Sequence, residues 1–166
     1  TVRVVVRSSA TDLLTTAQFS LKWDPTVLRF AGVVGFGLRG LDAARNFGTN
    51  GVSSGTLTFG WDDPQATGVP VGEGEPLFTL VYTVIGGPGS GSAIRITSHP
   101  TFGELSVRGK VIPHTANEGM VAVRRSDGGV LGMSGTGSAP QGLWFEMLPQ
   151  RGRSPPSARD LKQWNP

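Results

Sequence analysis

Between Ala17 and Phe30 the chain reads AQFSLKWDPTVLRF, with Ala17, Phe19, Leu21 and Trp23 separated by Gln18, Ser20 and Lys22. A period of two is that of a strand with one face in a core and the other in water. Asp24-Pro25-Thr26 ends it. Asp accepts local backbone hydrogen bonds, and Pro fixes φ while removing a ladder donor, so the chain must bend before Val27 to Phe30 resumes. That third strand is expected to run on through Val33-Val34 to Gly35. The same alternation appears at Val2, Val4 and Val6, closed by the polar turn Ser8 to Asp12, and at Leu57, Phe59 and Trp61, closed by Asp63-Pro64. Pro76 to Ile85, PLFTLVYTVI, is nearly all apolar or Thr, as a central strand is. Its bulkier set, Phe78, Leu80, Tyr82 and Val84, is expected to face a core, with Thr79, Val81 and Thr83 in solvent. Ala93 to Thr97, Glu104 to Ile112 and Gly119 to Val123 complete the series. The connection from Gly35 to Gly55 is expected to be irregular loop or a short edge strand, Asp42 to Arg45 being its one stretch suited to a helical turn. Gly68 to Gly74 carries no pattern.

Strands recur every eight to twelve residues or so with turn chemistry between them, the spacing of an all-β antiparallel sandwich. With 25 Gly, 12 Pro and only 16% charged residues, the composition suits short strands and tight turns. The 166 residues hold one domain plus an appendage. The expected division is a sandwich over 1–125, a Gly/Ser-rich linker over 126–140, and a truncated or poorly ordered segment over 141–166. That last segment has a short apolar run, Leu143 to Leu148, before Pro149, Pro155 and Pro156 break it. Either it docks on the sandwich or it opens a further module. Because the chain starts at Thr1 inside a strand, it reads as a piece of a longer protein, with any export signal or anchor elsewhere. No run is long enough to span a bilayer.

The net charge of +3 is small, and Arg3, Arg29, Arg45, Arg95 and Arg108 are dispersed, so no phosphate-binding stripe forms and nucleic acid is not an expected partner. There is no Cys, which removes disulfides and thiolate chemistry. Trp23, Trp61 and Tyr82 would suit a stacking platform for sugar rings. Each lies on the inward set of its strand, so core packing is the expectation. Asp62, Asp63, Glu73 and Glu75 offer hard oxygen ligands, but their spacing matches no EF-hand loop. His99 and His114 each sit beside a Pro, and no Gly-x-Ser-x-Gly elbow accompanies them. No enzyme activity is expected.

The order of AQFSLKWDPTVLRFAGV, Asn46-Phe47, Gly55 to Phe59, LFTLVYTV with its Gly-rich turn, and Gly119 to Val123 resembles the cohesin family, bacterial scaffold modules that bind dockerins. The resemblance implies a jelly-roll sandwich of about nine strands whose exposed sheet face docks a partner bearing two calcium loops. The calcium belongs to the partner, and no cofactor is implied on this chain. Family contacts come from the third, fifth, sixth and eighth strands and the connection after the third. Carried over by position, that surface comprises Arg29, Ala31, Asn46, Thr58, Asp62, Thr79, Val81, Thr83, Ser106 and Arg108. Many cohesins have an acidic residue two positions after the Asn of the connection, where this chain has Gly48, so familiar dockerin specificities are in question. Short side chains suit docking because they lose little rotamer entropy. The implied setting is extracellular or at the surface of a bacterium. A carbohydrate-binding module taking polysaccharide and a spacer in a large surface protein are the alternatives. The tail ending Asp160 to Trp164 also looks like the start of a further secreted β-module.

Overall fold

The computed structural model describes residues 1–124, 130–133 and 142–148. Its elements are β1 (Val2–Ser8), β2 (Thr11–Lys22), β3 (Leu28–Val34), the helical turn α1 (Ala43–Asn46), β4 (Phe47–Gly48), β5 (Thr56–Asp62), β6 (Val69–Val71) and β7 (Glu75–Val84). They continue with β8 (Gly91–Thr97), β9 (Glu104–Val107), β10 (Lys110–Ile112), β11 (Thr115–Ala116), β12 (Gly119–Val123), β13 (Val130–Met133) and β14 (Gly142–Leu148). One sheet has the order β11-β14-β1-β7-β3; the other runs β10-β9-β2-β8-β12-β13, with β5 and β6 on β2 and β4 on β5. The result is an antiparallel sandwich of jelly-roll type, with one parallel pairing among the described residues, between β11 and β14.

The alternation works as expected. Phe19, Leu21, Leu57, Phe59, Phe78, Leu80 and Tyr82 have at most 1% of their surface exposed. Phe78 of one sheet meets Phe59 and Phe47 of the other at ring-centroid distances of 4.8 and 5.0 Å, which ties the layers together. At the Asp24-Pro25-Thr26 corner, Asp24 Oδ1 accepts from the Thr26 amide at 2.8 Å, and buried Trp23 donates its indole N–H to the Leu28 carbonyl at 2.9 Å. Side chain and backbone thus fix the same bend.

Several elements depart from expectation. β2 starts at Thr11, so the turn after β1 is only Ser9-Ala10. This length lets β2 carry β9 and β8 in succession along one side and β6 and β5 along the other. Glu104 to Ile112 is a hairpin instead of one strand. Its turn residues Arg108 and Gly109 both have positive φ, +52° and +71°, the geometry of a tight two-residue connection. Asp42 caps α1 by accepting from the Ala44 and Arg45 amides, so the helical turn forms and is followed at once by the edge strand β4. Gly68 to Gly74, patternless in sequence, contains β6. The sandwich also extends past residue 125: β14 pairs with β1 along six residue pairs, and Leu143 and Phe145 are buried in the core at 1% exposure. Of the two alternatives for the C-terminal segment, 142–148 docks; the expected linker and the far tail lie largely outside the described residues.

Candidate functional site

The outward positions of the larger sheet form rows across the strands. Paired positions share a face in a sheet. One row runs Val111, Ser106, Thr16 and Asp62; the next Glu104, Gln18 and Gly60; a third Thr97, Ser20, Thr58 and Gly48; the last Arg95, Lys22 and Thr56. The centre is therefore built from hydroxyls, one amide and two glycines, with the long charged side chains towards the margins. Ser20 is wholly buried because the β8–β9 connection folds over it: the Thr101 amide donates to Ser20 Oγ at 2.8 Å. Phe102, next in that connection, is 65% exposed.

At the Asp62 end of this face lies an open cleft of about 550 Å³ lined by Leu13, Thr16, Asp62, Thr67, Arg108 and Gly109 among others. Asp63, which also lines it, is held in a clasp. Arg39 donates two hydrogen bonds of 2.6 Å to the carboxylate of buried Asp63, which also accepts from the amides of Gln65, Thr67 and Gly68. The guanidinium, with those amides, holds the Asp63 carboxyl well below the usual carboxylate range against the opposing effect of burial. Asp62, one residue earlier, is exposed. Arg108 is paired with Asp12. The side-chain hydroxyl of Thr16 is buried without a hydrogen-bond partner among the described residues.

The ten residues carried over by position do not form one surface. Thr58, Asp62, Ser106 and Arg108 belong to the larger sheet and its cleft, with Asn46 beside it. Arg29, Ala31, Thr79, Val81 and Thr83 lie on β3 and β7 of the five-stranded sheet, on the opposite side of the molecule. Thr79 points away from the core but is not in solvent, having only 7% exposure. It sits between Val5 and Val34 on the flanking strands, and Gly35 lies over it so closely that a Cβ there would be 3.2 Å from its hydroxyl. Ser106 is likewise buried, at 5%, between Thr16 and Val111. Arg29 and Ala31 are exposed, Ala31 at a bulge; Val81 and Thr83 are half-buried. Asn46 is a positioning residue. Its amide donates to the Gly60 carbonyl and accepts from the Asp42 amide, both at 2.8 Å, which pins α1 to β5.

Gly60, an outward short position in the sequence alternation, completes the face together with Thr16, Gln18 and Thr97, which the sequence does not single out. The alternation marks Gln18 as outward, but which strands flank it depends on pairings made across 40 to 90 residues. The sugar platform does not exist: Trp23, Trp61 and Tyr82 are 6%, 2% and 0% exposed. The four acids weighed as hard oxygen ligands form no metal-holding group among the described residues either. Asp63 is clasped by Arg39, Glu73 accepts from the Ala10 amide and Glu75 from the Gly72 amide. Among the described residues, no helix is long and apolar enough to cross a membrane.

A family model for the cohesin domain matches residues 1–123. Among solved structures, the complex of the dockerin CaDoc0917 with the cohesin CaCohA2 is similar at a TM-score of 0.57 and 16% identity, over 70% of this chain and 84% of that one. A type I cohesin–dockerin complex of OlpA from Clostridium thermocellum gives a TM-score of 0.52 at 11% identity, over 69% and 95%. At such identities the likeness is one of fold. Comparison with curated protein sequences finds no match.

Proposed function

The chain belongs to the cohesin family, and from that premise we propose that it is a non-catalytic scaffolding module, extracellular or at the cell surface, that docks a dockerin-type partner through the outer face of its larger sheet. The observation that carries this choice of face is the block of short polar positions at Thr16, Gln18, Thr58 and Gly60, ending in the exposed Asp62 carboxylate. Such a surface immobilises few rotamers on binding, offers donors and acceptors in both senses, and leaves backbone approachable at Gly60. The opposite face is less suited, since Thr79 is covered and long arginines, Arg3 and Arg29, flank Val81 and Thr83. Charges at the margin, Lys22, Arg95 and Asp62, then steer encounter and fix orientation. Any calcium sits on the dockerin.

Gly60→Arg is the cleanest probe. A Cβ there meets nothing within 4 Å, so the fold tolerates the change while a long cation occupies the middle of the face. Calorimetric titration with a dockerin-bearing protein from the source organism should show affinity reduced about 30-fold or more, the scale of a lost hot spot, at unchanged melting temperature. Thr83→Arg, on the other sheet, should bind as wild type does. Loss of binding in Thr83→Arg with retention in Gly60→Arg would reverse the assignment.

A further inference from the structure

Beyond the docking face, the slot between β1 and β11 has the character of a receptor for a strand. The segment that fills it, 142–148, lies outside the cohesin match, yet the slot makes specific contacts with Gly142, Leu143, Phe145 and Glu146. Ser9 clamps Gly142 twice over: its amide donates to the Gly142 carbonyl at 2.9 Å and its hydroxyl accepts from the Gly142 amide at 2.7 Å. The Asn117 amide donates to the Leu143 carbonyl at 3.0 Å. Gly119 on β12 leaves room for Phe145, since a Cβ there would come within 2.8 Å of the Phe145 Cβ. Arg7 pairs with Glu146 on the outer side. Alternate residues Leu143 and Phe145 enter the core opposite Val6 and its neighbours, while Glu146 stands opposite Val5.

We propose that this slot is a strand-acceptor site, and that it takes residues 142–148 of a second copy of the chain as well as its own. Among the described residues the strand's ladder partners, its hydrogen bonds and its ion pair all come from residues 1–124, with β13 only grazing it, so the same backbone ladder, the same Phe145 space and the same Arg7 charge are offered to an identical strand from another molecule. Exchange is reciprocal and closes as a two-fold dimer. In cis the strand is joined to β13 by residues 134–141, SGTGSAPQ, which gives it an effective concentration on the order of millimolar at its own slot. The monomer therefore prevails in dilute solution. The exchanged dimer forms when copies refold together at high concentration or when the tether is too short to cross from one layer to the other, about 10 Å. The proposed docking face lies on the other sheet, so each half of such a dimer would keep it free.

The test uses full-length chains. Val5→Cys and Glu146→Cys face each other across β1 and β14, and the chain has no other cysteine. The two single variants, differently tagged, are unfolded together, refolded at high concentration and oxidised. Exchange predicts several-fold more mixed disulfide than from Val5→Cys with Val111→Cys, a residue 64% exposed on the other sheet. Equal yields overturn the proposal. As a second measurement, deletion of residues 134–140 should give a folded species of twice the wild-type mass by light scattering. A folded monomer would also overturn it, and if the deletion fails to fold, the cysteine pair decides.

Discussion

Tyr82 and Asp63 are two buried polar residues with opposite consequences. The Tyr82 ring fills the layer between the sheets against Trp23 at a centroid distance of 5.2 Å, but its hydroxyl has no hydrogen-bond partner among the described residues. Burial pushes that hydroxyl above its ordinary pKa, so it stays a neutral, unsatisfied group. Tyr82→Phe should leave thermal stability unchanged or raise it. A loss above about 1 kcal/mol would mean that the hydroxyl has a partner. Asp63 is saturated with donors, and its folded pKa is depressed, chiefly by Arg39. The sign follows from linkage: its contribution is complete above the ordinary value of 3.8 and is lost as pH falls from there toward the depressed folded-state value. Asp63→Asn should therefore lower the denaturation midpoint at pH 7, with the gap to wild type shrinking below about pH 4. A gap independent of pH would contradict this. Asn46 makes a different point: an outward polar residue in the right place by position is already spent on α1 and Gly60, and sequence cannot distinguish a free amide from a committed one.

At the scale of elements, β14 tests how far the sandwich extends. Phe145 is 1% exposed and packs against Gly119, so Phe145→Ala should cost about 3–5 kcal/mol in chemical denaturation, as core Phe truncations do. A cost near zero would mean that β14 is not part of the folded unit. The run Leu143 to Leu148 is visible in the sequence; its destination is not, because its partner β1 is about 140 residues away and nothing local encodes that pairing. The same limit explains the split among the ten carried-over residues. Alternation on β5 and β7 correctly sorts Phe59, Phe78, Leu80 and Tyr82 inward and Thr58, Gly60, Thr79, Val81 and Thr83 outward, but period two says only which side of a strand a residue occupies. It does not say which sheet the strand joins, and β5 and β7 join different ones. Thr79 adds a tertiary effect, since its burial comes from Gly35 and the flanking Val5 and Val34. Corners, by contrast, are local chemistry, and Asp24-Pro25-Thr26 bends where its residues dictate.

For the whole molecule, the two layers divide the work. The aromatic contacts between Phe19, Phe47, Phe59 and Phe78 lock the sheets back to back, so a partner on one outer face is remote from the other. The five-stranded sheet closes the fold through β14, and the larger sheet presents the polar rows. This arrangement can be read directly by recording backbone amide resonances of the isotopically labelled chain during titration with a dockerin-bearing partner. The largest shifts should fall on Gln18, Thr58, Gly60 and Asp62, with Arg29, Val81 and Thr83 unmoved. Shifts centred on Arg29, Val81 and Thr83 instead would contradict the account.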